Sequence, residues 1–377
     1  MDEIAPGADL AGGVTRRAAL KAAGGAAAAL GLARFNINHA WSKDVLYDGA
    51  VYNAGGATLP IGEWGGFWQD IMKRILMDQF EKDFNCKIGW DTSWPWFPKF
   101  VANAKDKPPF ALTNWNYPEL YKTANAGDYF LPLDDVIANV PNAAHVWPFA
   151  KASGLGITWA YSRYCFAYRT DMAQPPPTKF ADFWDSRYGG GKRGTYITSN
   201  TLQMDFFIIA NRVLGKDQYD DKAGFDAMKR AMPMKISDFT GNMETLLERG
   251  EVAIAVQNDA EVYLPADKGI KVAALVWEEF KPILTQTRTI SRYADPVQKK
   301  LALALLNRIL SPEFLTTFAA TFYMRPTHRD AVMPPNLARH GIQNTEQEVA
   351  GYWTPDWQSY LKREDDIVET VNAIFSG

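Results

Sequence analysis

The sequence predicts an α/β fold with a largely parallel sheet, and three observations support this prediction. Segments with apolar residues at helical spacing alternate along the chain with short apolar runs typical of strands. The length of 377 residues is enough for two domains of about 150 residues each. Of these residues 47% are hydrophobic and 13% aromatic, a composition too apolar for a disordered chain.

Charge and cysteine content exclude several classes of function. The 40 basic and 43 acidic side chains give a net charge of −3, so the chain has no overall positive field for binding nucleic acid. Cys86 and Cys165 cannot form a disulfide framework, and neither has the spacing of a zinc site. The 4 histidines are scattered and predict no metal cluster. We therefore expect no metal and no cofactor.

The N-terminal segment has the pattern of an export signal. Arg16 and Arg17 precede 12 uncharged residues, Ala22 to Ala33, which are mostly Ala, Gly and Leu. This run is shorter than the roughly 20 residues that span a bilayer, but it suits the apolar part of a signal peptide, and the paired arginines resemble a twin-arginine signal. We expect residues 1–33 to be removed and the protein to reach the periplasm. Two alternatives are cleavage after Ala40 and an Ala-rich helix that stays attached to the protein.

The first α/β unit begins after this signal. A strand is predicted from Val45 to Tyr52, followed by a turn at 53–56 and an amphipathic helix from Phe67 to Phe84. Strands at 87–91 and 110–113 follow. Ligands of such sheets gather at the carboxyl ends of the strands.

A long apolar run, Gly156 to Tyr168, predicts a strand that crosses from the first unit into a second. The proline cluster Pro175–Pro177 then interrupts regular structure. A strand at 192–197 and a helix at 202–214 open the second unit. Further strands are predicted at 252–256 and 272–277, and later helices are predicted to begin at Asp295-Pro296, Ser311-Pro312 and Thr354-Pro355.

Four stretches carry a resemblance to a known family. They are Asn125–Asp134 (NAGDYFLPLD), Tyr164–Asp171 (ending AYRTD), Gly250–Ala255 (GEVAIA) and Asn307–Glu313 (NRILSPE). With the export signal and the two α/β units, they resemble the extracellular solute-binding proteins of ABC importers, in particular the branch that includes the spermidine/putrescine-binding proteins.

The resemblance implies a type II periplasmic-binding-protein fold. Each of two lobes would hold a mostly parallel sheet flanked by helices, with a hinge between the lobes and the ligand in the cleft. Lobe 1 would comprise residues 41–157 and 285–377, and lobe 2 residues 158–284. A ligand that touches both lobes favours the closed state. The expected partners are a small-molecule ligand and the membrane subunits of an ABC permease, and we expect a monomer that is not an enzyme.

In the first lobe, candidate ligand-binding residues follow predicted strands. The turn with Asn53, Gly55 and Gly56 could present backbone N–H groups to a ligand, or serve only as a tight turn. Asn114 and Trp115 lie at another strand end.

Four tryptophans, at positions 64, 68, 94 and 96, fall in one neighbourhood of the sequence. Trp64 and Trp94 are candidates for a cage around an aliphatic ammonium, where a cation–π contact contributes about 0.5–2 kcal/mol. We expect at least two of the four to serve core packing instead.

Candidates in the second lobe begin with Tyr161 and Arg163, beside the crossing strand, where a hydroxyl or guanidinium could fix a polar ligand or pack at the hinge. Ser199, Asn200 and Thr201 precede the helix at 202–214. They could face an anion, or simply cap the helix.

Asp259 is the candidate suggested most specifically by the resemblance. The polyamine-binding branch has a W-x-G-D stretch after a strand, and Val256 to Asp259 matches it with Val256 and Asn258 in place of Trp and Gly, so one wall of the usual aromatic box is missing. Glu278 is a further candidate, after the strand that ends in Trp277.

The sign of the ligand stays open at this point. Asp259 with nearby aromatic rings favours an amine, whereas Ser199–Thr201 with Arg163 favours a carboxylate or phosphonate. Both together would suit a zwitterion. Arg325 and His328, in a loop similar to the family's A-N-x-x-A turn, are expected to be structural.

The alternative function is an exported carbohydrate-active enzyme with two carboxylates in a tryptophan-lined cleft. Asp134-Asp135 and Glu278-Glu279 supply acids, but adjacent residues point apart and do not form a catalytic pair. The sequence also lacks the GxSxG, HExxH, Walker and GxGxxG motifs. A binding protein is therefore the favoured prediction.

Overall fold

A computed structural model describes residues 46–103 and 105–377 of the chain. The strands in this part hydrogen-bond to one another in one continuous order. The strands are β1 (Ala57–Gly62), β2 (Cys86–Asp91), β3 (Leu112–Trp115), β4 (Ile157–Arg169), β5 (Arg193–Tyr196), β6 (Met234–Ser237), β7 (Ile254–Asn258), β8 (Val272–Leu275), β9 (Lys281–Ile290), β10 (Arg325–Pro326) and β11 (Tyr352–Trp353).

Two parallel sets of strands flank a central antiparallel pair. The order is β2-β1-β3-β9-β4-β7-β5-β6. β1 pairs in parallel with β2 and β3, and β5 pairs in parallel with β6 and β7. β4 and β9 run antiparallel between the two sets. The predicted α/β class, with a mostly parallel sheet in each half, is confirmed.

The crossing strand is also confirmed. β4 is 13 residues long and buried along almost its whole length, which explains its largely apolar sequence. Up to Arg163 it pairs with β9, and from Tyr164 onward it pairs with β7 and β8. The chain therefore passes from one half of the fold to the other at Arg163–Tyr164.

Helices cover the sheet. They are α1 (Phe67–Met72), α2 (Asp78–Phe84), α3 (Phe97–Asn103), α4 (Tyr117–Ala126), α5 (Leu133–Asn139), α6 (Thr201–Leu214), α7 (Asp221–Ala231), α8 (Thr240–Glu248), α9 (Ala260–Asp267), α10 (Pro296–Ile309), α11 (Pro312–Phe322), α12 (Pro335–Ala338), α13 (Glu346–Val349), α14 (Trp357–Leu361) and α15 (Glu364–Ser376).

Most helix starts follow from local sequence. A π-helical segment, Lys73–Met77, joins α1 to α2 in the helix predicted from Phe67 to Phe84. The side chains of Asp295 and Ser311 each accept a hydrogen bond from a backbone N–H in the first turn of α10 and α11, as predicted. The third predicted start is wrong, because Asp356 rather than Thr354 caps α14.

The first predicted strand is wrong as well. Residues 46–53 lie outside the sheet, and the strand is β1, after the turn. Pro60 in its middle resembles a strand breaker in the sequence. Its carbonyl nevertheless accepts a hydrogen bond from the Ala111 N–H at 2.8 Å, and Leu59 and Ile61 are fully buried. Tertiary burial thus outweighs the local signal.

Two hydrophobic clusters form the interior. One surrounds β1, α10 and α11. The other surrounds β5, β7 and α6 and continues to the aromatic side chains of Trp96, Phe100 and Trp115. Residues Leu46–Gly377 form one compact unit.

Cys86 and Cys165 are buried free thiols. Among residues 46–103 and 105–377, the helices are all too short or too polar to cross a membrane. The predicted export signal, with Arg16, Arg17 and its cleavage point, lies outside the residues that the structure describes.

Candidate ligand-binding site

A cavity of about 460 Å³ opens where the chain leaves β2, β3 and β5. Its three walls come from four segments of the chain, and the lining residues are Trp94, Pro95, Phe97, Pro98, Pro118, Glu119, Lys122, Thr198, Ser199, Thr201, Met204, Leu361, Glu364, Asp365 and Val368. The cavity thus lies at the carboxyl ends of strands from both parallel sets, where ligands of α/β sheets bind.

Glu119 supplies the acid of the first wall. It lies in the first turn of α4, which Pro118 opens, and its carboxylate accepts hydrogen bonds from the side chain of Trp94 and the backbone N–H of Phe97. Burial raises the pKa of Glu119 to about 7, although these two donors and the nearby Lys122 lower it. Glu119 therefore changes charge near neutral pH.

The N-terminus of α6 forms the second wall. The Asn200 side chain accepts a hydrogen bond from the Leu202 N–H at 2.9 Å, so Asn200 is the helix cap. Its neighbours Ser199 and Thr201 line the cavity. The free N–H groups and positive partial charge of a helix start favour an anionic group there.

The third wall is the start of α15, which carries Glu364 and Asp365. Lys122 lies opposite and pairs with Glu364 at 2.7 Å between Nζ and Oε2. Three carboxyl groups thus face one ammonium group among the lining residues. When all are ionised, the wall has a net negative charge.

Trp94 adds an aromatic surface to this acidic wall. Its side chain is 40% exposed, so its indole face is open to a ligand. Trp96 and Trp68 are packed against core aromatic rings, Trp96 against Trp115 and Trp68 against Trp159. The expectation that at least two of the four tryptophans serve the core is confirmed.

Behind the first wall, Trp64 and Asn114 join a buried polar network. The Trp64 indole N–H donates to Gln286 Oε1 at 2.7 Å, and Asn114 Nδ2 donates to the same oxygen at 2.7 Å. Asn114 Nδ2 also donates to Glu63, and the Trp159 indole N–H donates to Asn114 Oδ1. The two side chains are fixed by the protein itself.

At the base of this network, Glu63 and Arg288 form a fully buried ion pair. Burial raises the pKa of Glu63, while the positive charge of Arg288 opposes the rise. Trp115, the neighbour of Asn114 in sequence, lies in the core, where its indole donates to Thr289 Oγ1 at 2.8 Å.

A second set of predicted residues meets at the crossing strand, outside the cavity wall. Asp259 is fully buried, and Arg325 binds both of its carboxylate oxygens, at 2.9 and 2.7 Å. Arg163 pairs with the exposed Glu278 at 2.7 Å. The Tyr161 hydroxyl lies 3.1 Å from that of Tyr352.

The turn with Asn53, Gly55 and Gly56 lies away from both groups. It comes before β1, whereas Trp64 follows the end of β1, so the length of the strand, about 20 Å at 3.3 Å per residue, separates them. The turn instead contacts Asn85, whose side chain donates to Asn53 Oδ1 at 2.8 Å. Because the strand follows the turn instead of preceding it, the turn lies at the amino end of β1, whereas ligands bind at carboxyl ends.

Sequence reasoning missed three acids of the cavity, Glu119, Glu364 and Asp365. For Glu119 a signal existed, because it follows the strand end Asn114-Trp115 and the helix-opening Pro118. Glu364 and Asp365 carry no comparable signal, since only the folded chain brings α15 to this cavity.

Comparison with solved structures identifies the fold of this chain. The chain matches no protein-family model and none of the curated proteins. Among solved structures it is similar to an ABC transporter substrate-binding protein from Bradyrhizobium japonicum, with a TM-score of 0.67 and 17% identity over 85% of this chain and 99% of that one. This is the type II periplasmic-binding-protein fold.

Two further structures show the same architecture. A spermidine/putrescine ABC transporter substrate-binding protein from Streptococcus pneumoniae has a TM-score of 0.65 and 15% identity over 85% of this chain and 100% of its own. A GABA receptor has a TM-score of 0.68 and 16% identity over 84% of this chain and 97% of its own. The fold implied by the sequence resemblance is confirmed.

Proposed function

We propose that this protein is the substrate-binding component of an ABC importer, and that it captures a small organic amine or zwitterion in its cleft. The observation that carries the proposal is the cavity itself, with the exposed ring of Trp94 beside the carboxyl groups of Glu119 and Asp365. An aromatic face and carboxylates both attract an ammonium group.

A zwitterion would use the opposite wall as well. Its ammonium group would lie toward Trp94 and Glu119, and its acidic group toward Ser199 and Thr201 at the start of α6. The net negative charge of the lining disfavours a ligand that is only an anion. The named ligand classes of two structures with this fold, polyamines and GABA, fall in the proposed range.

We further propose that residues 41–157 with 285–377, and residues 158–284, act as two lobes that close over the ligand in the periplasm. β4 and β9 would form the hinge, because they are the strands that join the two parallel sets. The closed form would then be recognised by the permease. No chemical change of the ligand is part of this proposal.

A binding screen tests the ligand class. The purified protein is titrated with putrescine, spermidine, GABA, succinate and maltose while its thermal unfolding is followed. We expect a rise in Tm with an amine or with GABA and an unchanged compound after incubation. The exchanges Glu119→Gln and Asp365→Asn should weaken binding, whereas Asp226→Asn, at an exposed carboxylate paired with Lys222, should not.

The outcomes separate the two candidate functions. Stabilisation by the sugar together with its hydrolysis would support the carbohydrate-active enzyme and overturn the binding protein. Small-angle scattering tests closure, because a binding protein of this kind should become more compact when its ligand is added. An unchanged radius of gyration at saturating ligand would contradict the hinge.

A further inference from the structure

Two of the four histidines, the exposed His145 and the buried His328, lie next to each other, and neither lines the cavity. His145 ends a short 3₁₀ helix, Pro141–His145, and His328 follows β10. Backbone contacts tie the two segments together, since Val146 forms a β-bridge with His328 and the Arg329 N–H donates to the His145 carbonyl at 3.0 Å. The position of the two rings is therefore set by the main chain.

The side chains converge with a carboxylate. The two imidazole rings stack with centroids 5.3 Å apart. Nδ1 of His145 and Nδ1 of His328 each lie 3.9 Å from Oδ2 of Asp330. One ligand atom from each of the three residues lies within 4.8 Å of the others.

We propose that His145, His328 and Asp330 bind one divalent transition-metal ion of the Zn²⁺ type. Two imidazoles and one carboxylate are a ligand set that suits zinc, whereas Mg²⁺ and Ca²⁺ require mainly oxygen ligands. In a tetrahedral site with bonds near 2.0 Å the ligand atoms are about 3.3 Å apart. Closure of the site therefore requires the 3.9 Å imidazole–carboxylate separations, and the spacing of up to 4.8 Å within the group, to shorten. The His145 ring must also turn out of its stack with His328 so that its nitrogen faces the ion.

The site is free to make this closure. The Asp330 and His145 side chains are 70% and 59% exposed, so both can move and an ion can enter from solvent. His328 is buried and supplies the fixed ligand. The neighbouring guanidinium of Arg329 packs over the Trp147 ring and donates to the Val146 carbonyl.

Binding has one local cost. The Asp330 N–H donates to His328 Nδ1 at 3.1 Å, and a metal ion on that nitrogen would replace this hydrogen bond. A neutral hydrogen bond contributes far less than a metal–imidazole bond, so the exchange is favourable. The remaining coordination positions would be filled by water.

Calorimetric titration of the untagged protein with ZnCl₂ tests the proposal. We expect one equivalent of Zn²⁺ to bind, with at least tenfold weaker affinity in His145→Ala and in Asp330→Ala. Both exchanges are at exposed positions, so the variants should fold. Co²⁺ should give the visible absorption of a bound ion in the parent protein, and MgCl₂ should give no heat above dilution.

His340→Ala is the matched control. His340 also lies beside a carboxylate, with Nε2 3.1 Å from Asp267 Oδ1. Within the described part of the chain, however, it belongs to no group of three side chains that could hold a metal ion. Zn²⁺ affinity should be unchanged in this variant. Equal affinity in His145→Ala and the parent protein, or no binding by the parent protein, would overturn the site. Neither result would affect the proposed amine cavity, which shares none of these residues.

Discussion

At the scale of single residues, Asp259 shows how a motif match and a structural role can coexist. The resemblance assigns Asp259 to an amine ligand, and this role stays a prediction. In the structure Arg325 binds both carboxylate oxygens, and the Arg163 N–H donates to one of them at 2.9 Å. An amine would have to compete with a guanidinium for this buried carboxylate.

The first prediction concerns this ion pair. Asp259→Asn should lower the free energy of unfolding by about 3–5 kcal/mol, because it leaves a buried guanidinium without its counter-charge. Urea unfolding measures the loss. Asp171→Asn is the matched control, since it removes the partner of Arg169 near the surface and should change stability little. Equal effects in both variants would show that the buried pair is not a major contributor.

Glu119 gives a second prediction at this scale. Its pKa of about 7, raised by burial, means that most of its carboxyl groups are neutral at pH 6 and ionised at pH 8. Amine affinity should therefore increase between these pH values, by a factor on the order of ten at most. Calorimetric titration at both pH values measures this, and Glu119→Gln should remove the difference. A pH dependence that persists in Glu119→Gln would assign it to another group.

At the scale of elements, the start of α6 separates capping from ligand binding. The sequence left these two roles open for Ser199, Asn200 and Thr201. The structure gives the capping hydrogen bond to Asn200 and places the other two residues at the cavity.

A third prediction follows from this division. Asn200→Ala should lower the free energy of unfolding by about 1 kcal/mol with little effect on ligand affinity. Ser199→Ala should weaken the binding of a zwitterionic ligand with little effect on the free energy of unfolding, because Ser199 lines the cavity but does not cap the helix. Urea unfolding and ligand titration of both variants provide the comparison, and a loss of affinity confined to Asn200→Ala would refute the division.

The C-terminal helices contact both halves of the fold, although the sequence assigned them to lobe 1 alone. On one side Glu364 pairs with Lys122 of α4. On the other side Arg363 pairs with Asp221 of α7, and the Thr198 hydroxyl donates to Asn372. The segment assigned to lobe 1 thus also contacts the second parallel set. Opening of the proposed hinge would have to break contacts on one of these sides.

For the whole molecule, buried carboxyl groups predict a pH-dependent stability. Burial raises the pKa of Glu261 to about 8, helped by the nearby charge of Glu244, and burial raises the pKa of Glu244 to about 7. Both lie above the ordinary value of 4.5. A raised carboxyl pKa means that the folded state holds its proton more tightly than the unfolded state does.

The fourth prediction states the consequence. Stability contributed by these two protons is fully present below pH 4.5 and is lost as the pH rises through about 7 and 8. The free energy of unfolding should thus be lower at pH 8.5 than at pH 6. Urea unfolding at the two pH values measures this, and Glu261→Gln should reduce the difference. A parent protein that is more stable at pH 8.5 would contradict the assignment.

Much of this architecture was predictable from the sequence because its signals are local. Helical and strand periodicity, and the caps at Asp295 and Ser311, depend on residues close in the chain. The largely apolar run of β4 likewise predicted one long strand that crosses between the two units. These features fixed the α/β class and the crossing between two units.

Only the tertiary structure decided which polar side chains face a ligand. Asp259 and Asn114 are occupied by partners 66 and 172 residues away in sequence, Arg325 and Gln286. Glu364 reaches the cavity, and His328 reaches His145, by similarly long-range packing. Periodicity reports which side of an element is buried, whereas a binding site depends on distances between elements, and those distances are set when the whole chain packs.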